Sequence, residues 1–95
     1  MPYSDGMRKS YDEDNLAKMF MPGVLRRYRD AAGLSQQDLA DSVGICKSYI
    51  SSLELGYRVP NLNLLVKIAD ALHIKPGQLV DEMVTDAQKS SSTFC

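Results

Sequence analysis

Two short amphipathic segments separated by a glycine lie between Ser35 and Gly56, SQQDLADSVGICKSYISSLELG, and they constrain the fold more than anything else in the chain. Ser35 is a good N-cap, after which Leu39 and Ala40 share one helical face while Gln36, Gln37, Asp38 and Asp41 fall largely on the other. The spacing predicts a first helix that stops near Ser42. Gly44 supplies the freedom a tight turn needs, and Val43 and Ile45 flank it as apolar anchors that pull both helices onto one core. A second helix then starts near Cys46. Its buried positions are Ile50 and Leu53, which leaves Lys47, Ser48, Ser51 and Ser52 facing outward and Tyr49 near the edge.

The flanking sequence reads as support. Pro22 suits a first-turn position, and Val24, Leu25, Tyr28 and Ala32 recur at helical spacing up to Gly33, a natural stop. Asn61 is a good N-cap for a helix whose stripe is Leu62, Leu65, Val66, Ile68, Ala69 and Leu72. Pro76 opens a last helix with Leu79, Val80, Met83, Val84 and Ala87 on one side. Ahead of these, Asp12, Glu13 and Asp14 precede Leu16, Met19 and Phe20, the pattern of a short separate helix with negative charge at its start; a frayed tail is the alternative. Met1 to Tyr11 is expected to be poorly ordered, and Lys89 to Cys95 is a serine-rich tail with no predicted structure. The chain thus divides into an arm at 1–20, a helical domain at 21–80, and a helix extension with tail at 81–95.

The order LSQQDLA, then VGI, then SYISSLELG, then P-N-L-x-x-L-x-x-I-A-x-A-L resembles the phage repressor and Cro family of helix-turn-helix transcriptional regulators, the xenobiotic-response-element type, from about Val24 to Leu79. The resemblance implies an all-α, lambda-repressor-like five-helix DNA-binding domain, with room for the extra N-terminal helix and an extended C-terminal one. It implies double-stranded DNA as the partner, repression as the expected sign of regulation, and a homodimer on a near-palindromic operator. Carried over by position, Lys47 and Ser48, with Ser52 one turn on and Ser51 beside it, would meet bases. Gln36, Gln37, Tyr49, Arg58 and Asn61 would hold phosphate or the groove edge, Gln36 also bracing Lys47. Arg29 would pair with Glu54 and lock the first helix to the recognition helix without touching DNA. Four positions depart from the pattern. Cys46 stands where relatives often have a stronger capping oxygen, His73 where glycine is frequent, and Ser51 and Ser52 where more informative side chains are common.

Charge argues for nucleic acid only weakly. The net charge is −1, yet residues 22–76 carry seven Lys or Arg against five Asp or Glu, so the flanks are the acidic part. No apolar run approaches the about eighteen residues of a membrane span, and no secretory leader is visible, so a cytoplasmic protein is expected. Cys46 and Cys95 fit neither a zinc spacing nor a disulfide framework and read as free thiols. With one histidine, no paired carboxylates in a recognisable setting and no glycine-rich phosphate loop, no catalytic, metal or cofactor site is expected. A second function stays open beside DNA binding, that of an antitoxin-like module gripping another protein through Leu16, Met19, Phe20, Met83 and Val84. For Met83, Val84 and Ala87 three uses are open: pairing with a twin, gripping a partner, or packing on their own domain.

Overall fold

Pro22 does not begin a helix; it sits inside one. In the computed structural model, which describes residues 15–92 with side chains through 89, α1 runs unbroken over Leu16–Ala31. A proline inside a helix costs about 3 kcal/mol. Burial outweighs that cost, because Met21, Val24 and Leu25 are in the core and Leu16, Ala17 and Phe20 pack against it. The expected separate N-terminal helix is therefore the first turns of α1. The acids at 12–14 and the arm at 1–11 lie outside the described residues, as do 93–95.

Four more helices follow: α2 Gln36–Val43, α3 Lys47–Glu54, α4 Leu62–Ala71 and α5 Pro76–Ser92. No strand occurs among the described residues. The fold is an all-α, five-helix bundle of the lambda-repressor type, as the sequence implies. Each helix sends at least one large side chain to the centre, Leu25, Leu39, Ile50 with Leu53, Ile68 and Leu79, all essentially inaccessible. At about 1.5–3 kcal/mol for each such side chain taken out of water, this shared cluster fixes how the five rods meet.

Helix starts and stops are set locally. Ser35 and Asp38 form a reciprocal capping box at the start of α2, with Asp38 N donating to Ser35 Oγ at 2.9 Å and Ser35 N to Asp38 Oδ2 at 3.1 Å. Asn61 Oδ1 caps α4 by accepting from Leu64 N at 2.8 Å. α1, α2, α3 and α4 all end the same way. The chain turns left-handed at Gly33, Gly44, Gly56 and His73, and the next amide bonds back five residues, as Ile45 N does to Ala40 O and Ile74 N to Ala69 O, both at 3.0 Å. His73, the one non-glycine of the four, holds φ +61°.

α5 corrects one further expectation and decides between the open readings of another. It continues through Lys89 to Ser92, where the serine-rich composition predicted no structure. It also turns its apolar side inward along α1: Met83 and Ala87 are buried, and only Val84 of that group is exposed. Arg27 of α1 clasps this arrangement from outside, Nη2 to Glu82 Oε1 at 3.0 Å and Nη1 to Asp86 Oδ2 at 2.9 Å. The divisions expected at 20 and 80 thus fall inside α1 and α5.

Candidate nucleic-acid interface

α3 is amphipathic in the sense a groove-reading helix requires. Ile50 and Leu53 are each 1% exposed and anchor its inner side, while Lys47 and Ser48 stand exposed on its first turn. Its one carboxylate, Glu54, is turned inward and neutralised. Arg29 donates to it through Nε at 2.6 Å and Nη2 at 3.0 Å, and Gln36 Nε2 adds a third bond at 3.0 Å. Burial by itself would raise the Glu54 carboxyl, but the bonds from Arg29 and Gln36 and the charges of Arg29 and Arg26 together hold it below the usual carboxylate range. The same pairing raises the Arg29 guanidinium, mainly through its hydrogen bonds to Glu54. Outside the protein, α3 therefore presents a cation and hydroxyls with no anion.

A second cation sits beside them. Arg58, in the loop after α3, lies over the Tyr49 ring with its guanidinium carbon 4.9 Å from the centroid. Tyr49 is half-buried and packed on the core, so the stack fixes Arg58 at the edge of the α3 surface. Sequence periodicity gave no sign of this contact, because the two residues are separated by a helix end.

The other expected site residues are placed variously. Ser51 and Ser52 are half-buried rather than outward, and the Ser52 hydroxyl donates to Tyr49 O at 2.7 Å. Gln36 donates its side-chain amide inward to Glu54, in addition to any contact with Lys47 that the resemblance implies. Gln37 is exposed at the start of α2 and bonded along the helix to Asp41 at 2.8 Å. Asn61 is exposed and uses its carbonyl oxygen on the α4 cap. Cys46 occupies the N-cap of α3 without a side-chain cap bond. Its Sγ lies 3.2 Å from Ser48 Oγ, and that contact, with the nearby amides, holds the thiol below its ordinary range.

A helix-turn-helix family model matches residues 25–79, which takes in all of α2, the turn at Gly44, α3 and α4. The chain belongs to the helix-turn-helix family. Among curated relatives it is 38% identical over 65 residues to an uncharacterised helix-turn-helix transcriptional regulator of Methanothermobacter thermautotrophicus, covering 65% of this chain and 94% of that protein. It is 37% identical over 62 residues to RstR, a cryptic phage transcriptional repressor of Vibrio cholerae, covering 65% and 55%. It spans about half the length of three of the curated relatives it matches and about a third of two others. Among solved structures, the restriction-modification controller protein C.AhdI of Aeromonas hydrophila superposes with TM-score 0.62 at 39% identity, covering 70% of this chain and 97% of that one. This helix-turn-helix protein is thus related to controller and phage-repressor proteins, and the relatives named here are transcriptional regulators. Among its described residues no group of three or more His, Cys, Asp or Glu could hold a metal, and no helix is long and apolar enough to cross a membrane.

Proposed function

We propose that this chain is a transcriptional regulator of the phage repressor and Cro type that binds double-stranded DNA sequence-specifically, as a homodimer, at a near-palindromic operator. α3 lies in the major groove with its first turn toward the bases, and the two half-sites are about one helical turn, 34–36 Å, apart. Repression is the sign of regulation favoured here, because the similar protein RstR is a transcriptional repressor.

The observation that carries the reading is the sorting of charge on α3. Lys47 and Ser48 are exposed while Glu54, the helix's only acid, is buried on Arg29, so a phosphate-lined groove meets no like charge from this helix. Lys47 donates to guanine O6 or N7, and Ser48 supplies a permissive hydroxyl. Ser51 and Ser52 contribute less, given their partial burial. Arg58, braced on Tyr49, contacts phosphate beside α3, and the backbone amides of Gln36 and Gln37 at the start of α2 contact phosphate as well. Asn61 stands at the end of the same loop as Arg58, where its amide group reaches the groove edge.

Selection of bound duplexes from a random pool tests this. Enrichment of a near-palindrome with two half-sites about one turn apart is expected. Failure of the folded protein to enrich any duplex would discard the reading. The terminal apolar residues that suggested an antitoxin-like module are mostly used inside the fold, Met83 in the core and Leu16 and Phe20 packed on it, so no observation favours that alternative.

A further inference from the structure

α1 begins well before the region that the family model matches, at Leu16 rather than at residue 25, and its early turns carry a cation. Two residues let these turns lie close against the turn that ends α3. A Cβ on Gly56 would stand 3.3 Å from Lys18 O and 3.6 Å from Pro22 Cγ, so the bare glycine lets α1 come nearer than a side chain would. Pro22, having no N–H, leaves the Lys18 carbonyl without its helical donor, and that carbonyl is the atom Gly56 meets. The early part of α1 is thereby held at the foot of the recognition helix.

The contact also fixes which side of α1 faces α3. Lys18, Pro22, Arg26 and Arg29 recur at helical spacing along one row. Three of them meet α3 or its turn: Pro22 at Gly56, Arg26 with Nε 3.7 Å from Glu54 Oε1, and Arg29 bonded to the same carboxylate. Lys18 stands one turn before Pro22 on this row, and it is exposed.

Charge along α1 is sorted in the same way as on α3. Arg26, Arg27 and Arg29 each face a carboxylate, whereas no carboxylate meets Lys18 among the described residues. Two residues beyond Gly56 in the chain, Arg58 lies over Tyr49 and likewise meets no carboxylate among them. One turn is therefore flanked by two cations, one from α1 and one from the loop, with no acid to neutralise either. Surface of a single sign of charge attracts the opposite sign.

We propose that Lys18 is a DNA-backbone contact, its ammonium donating to a phosphate oxygen on the strand that Arg58 also holds. This rests on the operator reading above, which sets α3 in the groove and the turn at Gly56 against the backbone. Pro22 and Gly56 act as positioning residues, since they bring α1 close enough for Lys18 to share the strand. A phosphate contact carries no sequence information, so Lys18 adds affinity without adding preference.

The test is fluorescence anisotropy of the full chain with the selected operator and with a scrambled duplex, at several salt concentrations. Lys18→Ala should weaken binding at least about threefold on both duplexes, leave the ratio between them unchanged, and make the salt slope shallower by about one per protomer. Lys18→Arg should restore both, and Lys75→Ala, which removes the same charge from the loop before α5, should alter neither. A Lys18→Ala protein with the parent's affinity and slope would overturn the contact. So would a change confined to the melting temperature, which would make Lys18 a partner of the carbonyls at the end of α3. A parent that binds neither duplex removes the operator reading and this contact together, whereas a parent that binds beside an equally tight Lys18→Ala protein removes the contact alone.

Discussion

Arg29 on α1 and Glu54 at the end of α3 are joined by two side-by-side hydrogen bonds, 2.6 Å and 3.0 Å, with the Glu54 side chain 1% exposed and that of Arg29 12%. The third arm of the guanidinium donates to Leu34 O at 2.8 Å, so Arg29 ties together the end of α1, the entry to α2 and the end of α3. Removing one partner strands the other charge. Arg29→Ala should therefore cost about 3–5 kcal/mol, a large part of the about 5–15 kcal/mol such a domain holds in total. Replacing both by apolar residues of similar size, Arg29→Met with Glu54→Leu, should cost clearly less than the single change. Urea unfolding of the singles and the double measures it, and a double mutant as unstable as the sum of the singles would show the pair to be uncoupled.

The same contact makes stability pH-dependent on the acid side. A carboxyl held below its ordinary value in the folded state contributes stability that is fully present above the unfolded value, about 4.3 for glutamate, and is lost as pH falls through the depressed folded value. Asp38 adds in the same direction, its carboxyl lowered by the Ser35 amide. Glu54→Gln should be less stable than the parent at neutral pH, with a smaller further loss below about pH 4. Unfolding curves of both proteins across that range check the sign; parallel acid-side slopes would place the dependence elsewhere.

What the sequence disclosed follows from which forces are local. The apolar positions of α2 and α3 were legible because a helical period of about 3.6 writes burial directly into spacing, and Ser35 and Asn61 announced their caps by residue type. On α4 the expected stripe was right at Leu65, Ile68, Ala69 and Leu72 and wrong at Leu62 and Val66, which are exposed while Leu64 enters the core: a helix apolar nearly all round leaves its inward face to be set by tertiary packing. Pro22 was misjudged because its local preference for a first turn is overridden by the burial of Met21, Val24 and Leu25, a tertiary effect with no local signal. The inward turn of Met83 and Ala87 was one of several readings their spacing allowed. Gln36 meeting Glu54, eighteen residues on, and Arg58 meeting Tyr49 depend on how α2, α3 and the next loop are placed together, which periodicity does not encode. The pairing of Arg29 with Glu54 came from family resemblance and not from either residue's surroundings in the chain.

Backbone conformation at two helix ends gives predictions of opposite sign. His73 holds φ +61° at the end of α4, a conformation that costs an L side chain roughly 1 kcal/mol or more, so His73→Gly should stabilise by about 1 kcal/mol. Gly56, at φ +82°, is closer packed: a Cβ there would lie 3.3 Å from Lys18 O, the carbonyl deprived of its helical donor by Pro22. At Gly44, φ +86°, an added Cβ meets nothing within 4 Å. Gly56→Ala should therefore cost more than Gly44→Ala, both exceeding about 1 kcal/mol, in matched thermal melts. Equal costs would mean that α1 yields freely at the proline step.

The salt dependence of operator binding should be shallow. Arg26, Arg27 and Arg29 are all engaged by carboxylates, Arg26 and Arg29 by Glu54, which leaves Lys47 and Arg58 as the cations at the α3 surface, four in the proposed dimer. With each contact contributing about −0.9, these four give a slope of log affinity against log salt no steeper than about −4, and the two Lys18 side chains bring it to about −5. Titrations by fluorescence anisotropy at several salt concentrations give it directly, and a slope near −8 would demand a much wider basic contact surface.

Lys47 is the residue through which sequence preference should enter. It is exposed on the first turn of α3 and clear of the core, so that in the proposed complex its ammonium would meet base edges. Lys47→Ala should leave the melting temperature unchanged or slightly higher, since alanine is the better helix former, while operator affinity falls by about 1–3 kcal/mol and preference at one base pair of each half-site relaxes. Arg58→Ala should behave differently, weakening binding evenly across sequences and reducing the salt slope by about one per protomer. Gel-shift titrations against the selected operator and a panel of single-base variants separate the two behaviours. A Lys47→Ala protein that binds the whole panel as the parent does would move base reading to another part of α3.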